Sequence, residues 1–203
     1  MIAVTINGIT MSFRTLPSLF SPGGPDAGTL AMLSLAEFRP GGKVLDLGCG
    51  WGIAGIYAAK LVGAEYVTMS DIDREAVKIA RENARINGVP GVSVVQSDGF
   101  GDIGGAGYAL ILSNPPYHAD FAVAKGFIEK GFNRLAIGGK MLMVTKRREW
   151  YKNKFIAVFG GVRIEERGGY FVFEGEKRGA DYAKTKRRPF PPSGFAAPRP
   201  AGS

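Results

Sequence analysis

A rigid polar turn follows an apolar run in the middle of the chain. Residues 114–117 read Asn-Pro-Pro-Tyr and come directly after the apolar run 108–113. Two consecutive prolines fix two backbone φ angles and remove two N–H donors, so the Asn114 amide and the Pro115 carbonyl can project in fixed directions. Acceptors held in this way suit a planar NH2 group that is to be modified beside the Tyr117 ring. For the tetrapeptide alone, a stiff loop at the end of a strand is an equally good interpretation.

A glycine-rich turn lies about sixty residues upstream. Residues 43–55 form an apolar strand, three alternating glycines and the start of a helix. Glycine permits positive φ and close backbone approach, so a nucleotide-like cofactor can lie against such a turn. The spacing is Gly-x-Gly-x-Gly, which fits the dinucleotide fingerprint poorly. Asp46 would repel a pyrophosphate, so we expect a cofactor with cationic amino and sulfonium groups.

Acidic residues follow the next two predicted strands. Asp71 comes at a strand end and suits the two hydroxyls of a ribose, whereas Asp73 precedes a helical stretch and is predicted to be its N-cap. Asp98 follows a third strand, where it can accept from an adenine amino group. A turn Asp before Gly99 is the alternative for that position.

Hydrophobic periodicity predicts alternating helices and strands that place these residues. Helices are predicted near residues 26–38, 53–62, 73–87, 120–137 and 149–159, and strands near 43–47, 65–70, 92–96, 108–113, 140–145, 162–166 and 169–174. The pattern predicts an α/β, Rossmann-like doubly wound sheet of seven mostly parallel strands with a reversed last strand, preceded by an N-terminal β-hairpin over 2–13. Right-handed crossovers put the glycine turn, both acids and Asn114 at the carboxyl edge.

Composition is consistent with one catalytic domain and a basic tail. The chain has 203 residues, of which 45% are hydrophobic, and a formal charge of +8. We expect a domain over 1–183 and a disordered Pro/Gly-rich tail over 184–203, which holds five cations and no acid. Such a tail favours anionic backbones, although a solvated tail that aids solubility is the alternative. A single cysteine argues against disulfides and a metal cluster and fits a reducing cytoplasm, and no segment reaches membrane-spanning length.

A second basic cluster, Lys146-Arg147-Arg148, begins where the fifth predicted parallel strand ends. That position puts the cluster at the edge that bears Asn114. Phosphate contacts beside a target nucleotide would be useful there. The competing interpretation is a solvated helix start.

Together these motifs resemble those of class I S-adenosylmethionine-dependent methyltransferases. Residues 13–21 with 26–29, and Asn-Pro-Pro-Tyr followed by His118, are more closely similar to the small-subunit ribosomal RNA guanine-N2 methyltransferase family. The similarity covers roughly residues 2–175, so we expect a single catalytic domain. Asn-Pro-Pro-Tyr also occurs in adenine-N6 enzymes and in protein glutamine methyltransferases.

The resemblance implies a cofactor, S-adenosylmethionine, an RNA substrate and no metal. The implied catalytic residues are Asn114, Pro115, Pro116 and Tyr117. The implied cofactor contacts are Phe20, Ser21, Asp26, Thr29, Asp46, Gly48, Cys49, Gly50, Trp51, Gly52, Asp71, Ile72, Asp98, Gly99 and Asn114. The implied substrate contacts are His118, Arg14, Lys146, Arg147 and Arg148. Rival functions are methylation of adenine N6 or a protein glutamine, and a non-catalytic RNA-binding scaffold.

Overall fold

A mixed sheet of seven strands with helices on both faces organises the protein. The computed structural model describes residues 1–19, 21–115 and 120–182. The strands are β1 (Ile2–Ile6), β2 (Ile9–Phe13), β3 (Val44–Leu47), β4 (Val67–Asp71), β5 (Ser93–Gln96), β6 (Tyr108–Ser113), β7 (Leu135–Thr145), β8 (Arg163–Arg167) and β9 (Tyr170–Glu176). The helices are α1 (Ala27–Leu33), α2 (Ile53–Val62), α3 (Arg74–Ile86), α4 (Phe121–Arg134) and α5 (Glu149–Phe159), with a short 3-10 turn over Ala64–Tyr66.

The strand order in the main sheet is β5-β4-β3-β6-β7-β9-β8, and β9 runs antiparallel to both of its neighbours. The other neighbouring strands are parallel. The predicted seven-stranded sheet with a reversed last strand is therefore confirmed. All four side chains of β3 are buried, as expected for a parallel strand covered on both faces.

Two apolar cores lie on opposite faces of the sheet. One packs α1, α2, α3 and the hairpin of β1 and β2 against the sheet. The other packs α4 and α5 and contains several fully buried phenylalanines, among them Phe132, Phe155 and Phe173. Full burial of one such side chain contributes about 1.5–3 kcal/mol relative to leaving it in water.

The predicted hairpin over 2–13 is present, and two asparagines, Asn83 in α3 and Asn87 at its C-cap, attach it to the domain. Its turn residues Asn7 and Gly8 have φ of 47° and 81°, which suits the tight turn of a two-residue hairpin. Asn87 accepts from the Ser12 N–H at 3.0 Å and donates to the Ser12 carbonyl at 2.8 Å. Asn83 bonds Arg14 in the same two-way manner. These side chains replace a neighbouring strand along β2.

Four predicted boundaries were wrong. The strand predicted over 140–145 begins five residues earlier, at Leu135. The helix predicted over 26–38 ends at Leu33, and Phe38 instead packs edge-on against Tyr57 with ring centroids 5.6 Å apart. The helix predicted over 120–137 ends at Arg134, because Leu135 already pairs with Tyr108 in the sheet. The strand predicted from residue 65 begins at 67, after the 3-10 turn.

Some predictions fall outside the described residues. These are the basic tail 184–203 and the site residues Phe20, Pro116, Tyr117 and His118. Within the described ranges, none of the helices combines the length and apolar character needed to cross a membrane. The same ranges hold no group of three or more His, Cys, Asp or Glu side chains arranged to bind a metal ion.

Candidate active site

A cavity of about 440 Å³ lies at the carboxyl edge of the sheet, beyond the ends of β3, β4, β5 and β6. This volume is within the usual range of small-molecule sites, about 300–1,000 Å³. The predicted residues that line the cavity are Ser21, Asp26, Thr29, Asp46, Gly48, Cys49, Gly50, Trp51, Asp71, Ile72, Asp98, Gly99, Asn114 and Pro115. The fold thus brings together motifs that are up to about ninety residues apart.

The charge of the cavity contrasts with that of the whole chain. Among the described residues, five aspartates line it and no lysine or arginine does. The formal charge of the chain is nevertheless +8. A site with this lining favours a cationic ligand and disfavours a pyrophosphate.

Three backbone N–H groups of the glycine turn donate hydrogen bonds to the end of β4. Gly48 and Cys49 both donate to the Ser70 carbonyl at 2.9 Å. Gly50 donates to Asp71 Oδ2 at 2.8 Å. Gly48 and Gly50 have φ of 76° and 53°, a left-handed conformation that glycine adopts without steric cost. The turn therefore presents its backbone to the cavity.

Gly52 and Trp51 help to fix the position of the glycine turn. Gly52 is the N-cap of α2 with φ of 91°, and it is not among the cavity-lining residues. The Trp51 ring packs edge-on against Phe13 with centroids 4.9 Å apart, and the Trp51 carbonyl accepts from Asn83 at 2.8 Å. These contacts anchor the turn to the hairpin core.

Asp46 is a buried carboxyl group beside the glycine turn. Its Oδ2 accepts from the Gly55 N–H at 2.7 Å. Burial away from water, with a smaller contribution from the nearby Asp71 charge, raises the pKa of Asp46 to about 7 against the opposing effect of the Gly55 hydrogen bond. A bound cation would favour the ionised carboxylate. Burial also raises the pKa of the Cys49 thiol well above its usual value, so that side chain stays neutral.

Asp73 is the N-cap of α3, as the sequence predicted. Asp73 Oδ1 accepts from the Glu75 N–H at 2.8 Å and caps α3. Asp71 instead accepts from Gly50 through Oδ2 and from the Asp73 N–H through Oδ1 at 3.0 Å. Asp71 thus lines the cavity while it fixes the glycine turn.

Asn114 carries an unsatisfied acceptor. Its Nδ2 donates to Asp26 Oδ2 and to Thr29 Oγ1, both at 2.9 Å. A carboxylate can only accept hydrogen bonds, so the amide nitrogen of Asn114, and not its oxygen, must face Asp26. The Asn114 Oδ1 atom is therefore not used by Asp26. Oδ1 is buried and has no hydrogen-bond partner among the described residues. An unpaired buried acceptor costs about 1–3 kcal/mol, so a donor ligand would relieve that cost.

Asp26 connects Asn114 to the last hairpin. Asp26 caps α1 by accepting from the Gly28 and Thr29 N–H groups, and its Oδ1 accepts from the Tyr170 hydroxyl at 3.2 Å. A Cβ on Gly28 would lie 2.7 Å from both Asp26 Oδ2 and the Tyr170 ring, so only glycine fits between them. The sequence predicted cofactor contacts for Asp26 and Thr29; both line the cavity, and both also hold Asn114.

The predicted substrate cations lie outside the cavity lining. Lys146, Arg147 and Arg148 are exposed at the carboxyl end of β7. Lys146 Nζ lies 5.0 Å from the centroid of the Tyr170 ring, which places this cluster beside the Asp26 network. Arg14 forms an exposed ion pair with Glu82 at 3.3 Å and is tied to α3. Such exposed pairs contribute at most about 1 kcal/mol.

Several residues that line or contact the site were not predicted from the sequence. Tyr170 is 144 residues from Asp26, and no local pattern signals that contact. Asn83 in α3 and Asn87 at its C-cap did leave a signal, because they are polar residues four apart that continue the apolar face of the helix. Lining residues that were not predicted are Ser18, Leu19, Met32, Leu47, Ile53, Ala54, Ser70, Asp73, Ala76, Ser97, Val123 and Phe127.

Comparisons with known proteins agree with this geometry. Ribosomal RNA small subunit methyltransferase C of Serratia proteamaculans is 33% identical over 165 residues, which cover 79% of this chain and 47% of that protein. The Cronobacter sakazakii protein of the same name is also 33% identical, over 79% of this chain and 48% of that protein. The chain therefore spans about half the length of the curated relatives it matches.

A solved structure of a ribosomal RNA methyltransferase is also similar to this chain. The T. thermophilus 16S rRNA N2 G1207 methyltransferase RsmC, in complex with AdoMet and guanosine, superposes with a TM-score of 0.78 at 26% identity. The match covers 87% of this chain and 50% of that one. The family model described as the methyltransferase small domain matches residues 10–174, which is most of the chain. This chain belongs to the methyltransferase small domain family.

Proposed function

We propose that the protein transfers a methyl group from S-adenosylmethionine to an exocyclic amine of a nucleobase in RNA, most specifically guanine N2 of small-subunit ribosomal RNA. The relatives named above support the choice of acceptor, and the cavity supports the chemistry. A ribosomal RNA acceptor would place the reaction in the cytoplasm. We assign catalysis to residues 1–183 and an accessory RNA-binding role to the basic tail.

The lining of the cavity supports a cationic nucleoside cofactor. We assign the methionine end to Ser21, Thr29, Asp46 and the glycine turn, and we assign Asp26 to the positioning of Asn114. Asp71 would accept from the ribose hydroxyls, with Ile72, Asp98 and Gly99 around the adenine. When bound, S-adenosylmethionine supplies an electrophilic methyl group on a sulfonium. Phe20 would complete this part of the site.

The observation that carries the proposal is the buried, unpartnered Oδ1 of Asn114. An exocyclic amine can donate one N–H to this oxygen and a second to the Pro115 carbonyl. An aryl amine is a weak nucleophile because its lone pair is delocalised, so orientation by two acceptors directs electron density toward the methyl group. We assign stacking of the base to Tyr117, with Pro116 stiffening the turn and His118 at the base or a phosphate.

No strong general base is required by this arrangement. The attacking nitrogen becomes acidic only after it has gained the methyl group. Its proton can then pass to water or to a nearby carboxylate. Arg14 and the basic cluster at the end of β7 would contact the RNA backbone outside the acidic cavity.

The test is methyl transfer from labelled S-adenosylmethionine to small ribosomal subunits, large subunits, naked ribosomal RNA, DNA and total protein, with nucleoside and amino-acid analysis. We expect label in N2-methylguanosine from small-subunit RNA. Label in adenine N6 or in glutamine would keep the chemistry of the site and overturn the acceptor.

A variant of Asn114 tests the chemistry itself. Asn114→Ala should leave S-adenosylmethionine affinity nearly unchanged while it abolishes transfer, because its free oxygen is assigned to the acceptor amine. Retained turnover in this variant would refute orientation of the amine. Measurable cofactor binding without transfer to any acceptor in the wild-type protein would favour a non-catalytic scaffold.

A further inference from the structure

Three consecutive cations at the end of β7 each lie over a different aromatic ring. We call Lys146, Arg147 and Arg148 the cation row. Lys146 Nζ is 5.0 Å from the centroid of the Tyr170 ring. Arg147 Cζ is 4.8 Å from the centroid of Phe121, and Arg148 Cζ is 5.9 Å from that of Phe171. The rings come from two distant elements, the starts of α4 and β9, so the arrangement is tertiary.

The cation row is held in place although it is exposed. The Thr145 hydroxyl at the strand end accepts from the Arg147 N–H at 3.2 Å, which fixes the turn that leaves β7. Phe121, the ring under Arg147, is itself stacked on Trp150 with centroids 4.6 Å apart and planes at 30°. Each cation–π contact favours a position of the cation over its ring, and Arg148 also forms an ion pair with Glu149 at 2.7 Å. The side chains therefore lose little further entropy when they bind a ligand.

We infer that the cation row and its rings form a binding surface for the single-stranded RNA segment next to the target nucleotide. The inference rests on the proposed function for its choice of RNA. Ordered cations interleaved with aromatic rings are what single-stranded nucleic acids bind, through phosphate contacts and base stacking on rings and guanidinium planes. A guanidinium group is planar, so a base can stack on it.

The position of the cation row fits this role. Lys146 contacts Tyr170, Tyr170 bonds Asp26, and Asp26 bonds Asn114. The cation row thus begins only a few side chains from the free oxygen assigned to the acceptor amine. The cavity that Asn114 lines is acidic and would repel phosphates, so an RNA strand can insert a base there while its backbone stays on the cation row.

The experiment measures binding of a short guanosine-containing single-stranded oligoribonucleotide to the full chain by fluorescence anisotropy, over a series of salt concentrations. For Arg147→Ala we expect affinity to fall about five-fold or more, and the slope of log affinity against log salt to decrease by about 0.7. Arg147→Lys should keep the slope but lose affinity, since an ammonium cannot stack as a plane. Phe121→Leu should also lower affinity with little change of slope.

Lys43→Ala is the matched control, because Lys43 is an exposed cation directly before β3, at the opposite edge of the sheet. It removes the same charge and should change affinity less than two-fold. The inference is overturned if Arg147→Ala binds within two-fold of wild type, or loses no more than Lys43→Ala. Equal binding of duplex and single-stranded RNA by all variants would overturn it too.

The experiments distinguish a failure of the proposed function from a failure of this inference. Oligonucleotide binding that depends on the cation row, without methyl transfer to any acceptor, would retain the surface and reject the enzyme. Methyl transfer to RNA that is unaffected by the Arg147 and Phe121 substitutions would retain the enzyme and reject the surface. Calorimetric titration of each variant with S-adenosylmethionine shows whether the cavity is intact.

Discussion

Replacement of Asp26 by serine separates the two roles that this carboxylate can have. The sequence suggested a cofactor contact, whereas the structure places Asp26 Oδ2 2.9 Å from Asn114 Nδ2. Serine keeps the N-cap of α1, because its hydroxyl can accept from the same backbone N–H groups. It is too short to reach Asn114 and carries no charge. The substitution therefore removes the charge-assisted hydrogen bond that orients the amide and leaves the bond to Thr29 Oγ1.

The magnitude follows from that one bond. A hydrogen bond to a charged group contributes about 1.5–3 kcal/mol. If the whole contribution is lost from the transition state, kcat falls about 10- to 150-fold, since about 1.4 kcal/mol is a factor of ten. Cofactor affinity should stay within about two-fold. Asp26→Ala should show the same kinetic loss and also lower stability by about 1 kcal/mol, because the cap is removed.

The assay is single-turnover methyl transfer at saturating cofactor, with calorimetric titration of S-adenosylmethionine and urea unfolding for both variants. Tyr170→Phe provides a graded comparison, since it removes only the hydroxyl that donates to Asp26 at 3.2 Å. Its kcat should fall about three-fold. A serine variant with unchanged kcat and a ten-fold weaker cofactor affinity would refute the positioning role and return Asp26 to the cofactor.

Three further predictions concern the cofactor cavity and its packing. Asp71→Ala should weaken S-adenosylmethionine binding by at least about 1.5 kcal/mol, because a charged acceptor is lost, and an unchanged affinity in calorimetry would remove Asp71 from the site. Because the pKa of Asp46 is about 7 in the folded state and 3.8 in its reference state, its contribution to stability is present below about pH 4 and lost as pH rises through 7. Asp46→Asn should therefore become more stable relative to wild type between pH 5 and pH 8 in cofactor-free urea unfolding, by an amount on the order of a few kcal/mol, and an unchanged difference would contradict the raised pKa. Gly55→Ala should destabilise by about 1–3 kcal/mol, since its Cβ would lie 2.4 Å from Met69 Cγ, whereas Gly126→Ala in α4 meets no atom within 4 Å and should be neutral or stabilising; equal effects would show that the core accommodates the added methyl group.

Local patterns were sufficient for the architecture of the sheet. Alternating apolar runs and glycine-rich turns predicted the parallel strands, and the Asn7-Gly8 pair predicted the first hairpin, because those signals arise from neighbouring residues. The predicted ends of helices and strands were wrong where contacts with residues distant in the sequence determine them. Leu135 continues a helical pattern in the sequence, but its pairing with Tyr108 draws it into β7.

The candidate site divides in the same way. The sequence by itself determined which acids and glycines follow each strand, and the shared edge of a parallel sheet then required them to meet. It also determined the cap on Asp73, which depends on a backbone N–H two residues away. These features need only local geometry and the handedness of the crossovers.

Only the tertiary structure decided how Asn114 is oriented. Its amide is directed by Asp26 and Thr29, more than eighty residues away in the chain, and Tyr170 reaches Asp26 from the far end of the domain. The raised pKa of Asp46 likewise depends on its burial by surrounding elements. The direction of a hydrogen bond and the degree of desolvation depend on atoms from several segments of the chain. Neither can therefore be predicted from one segment of the sequence.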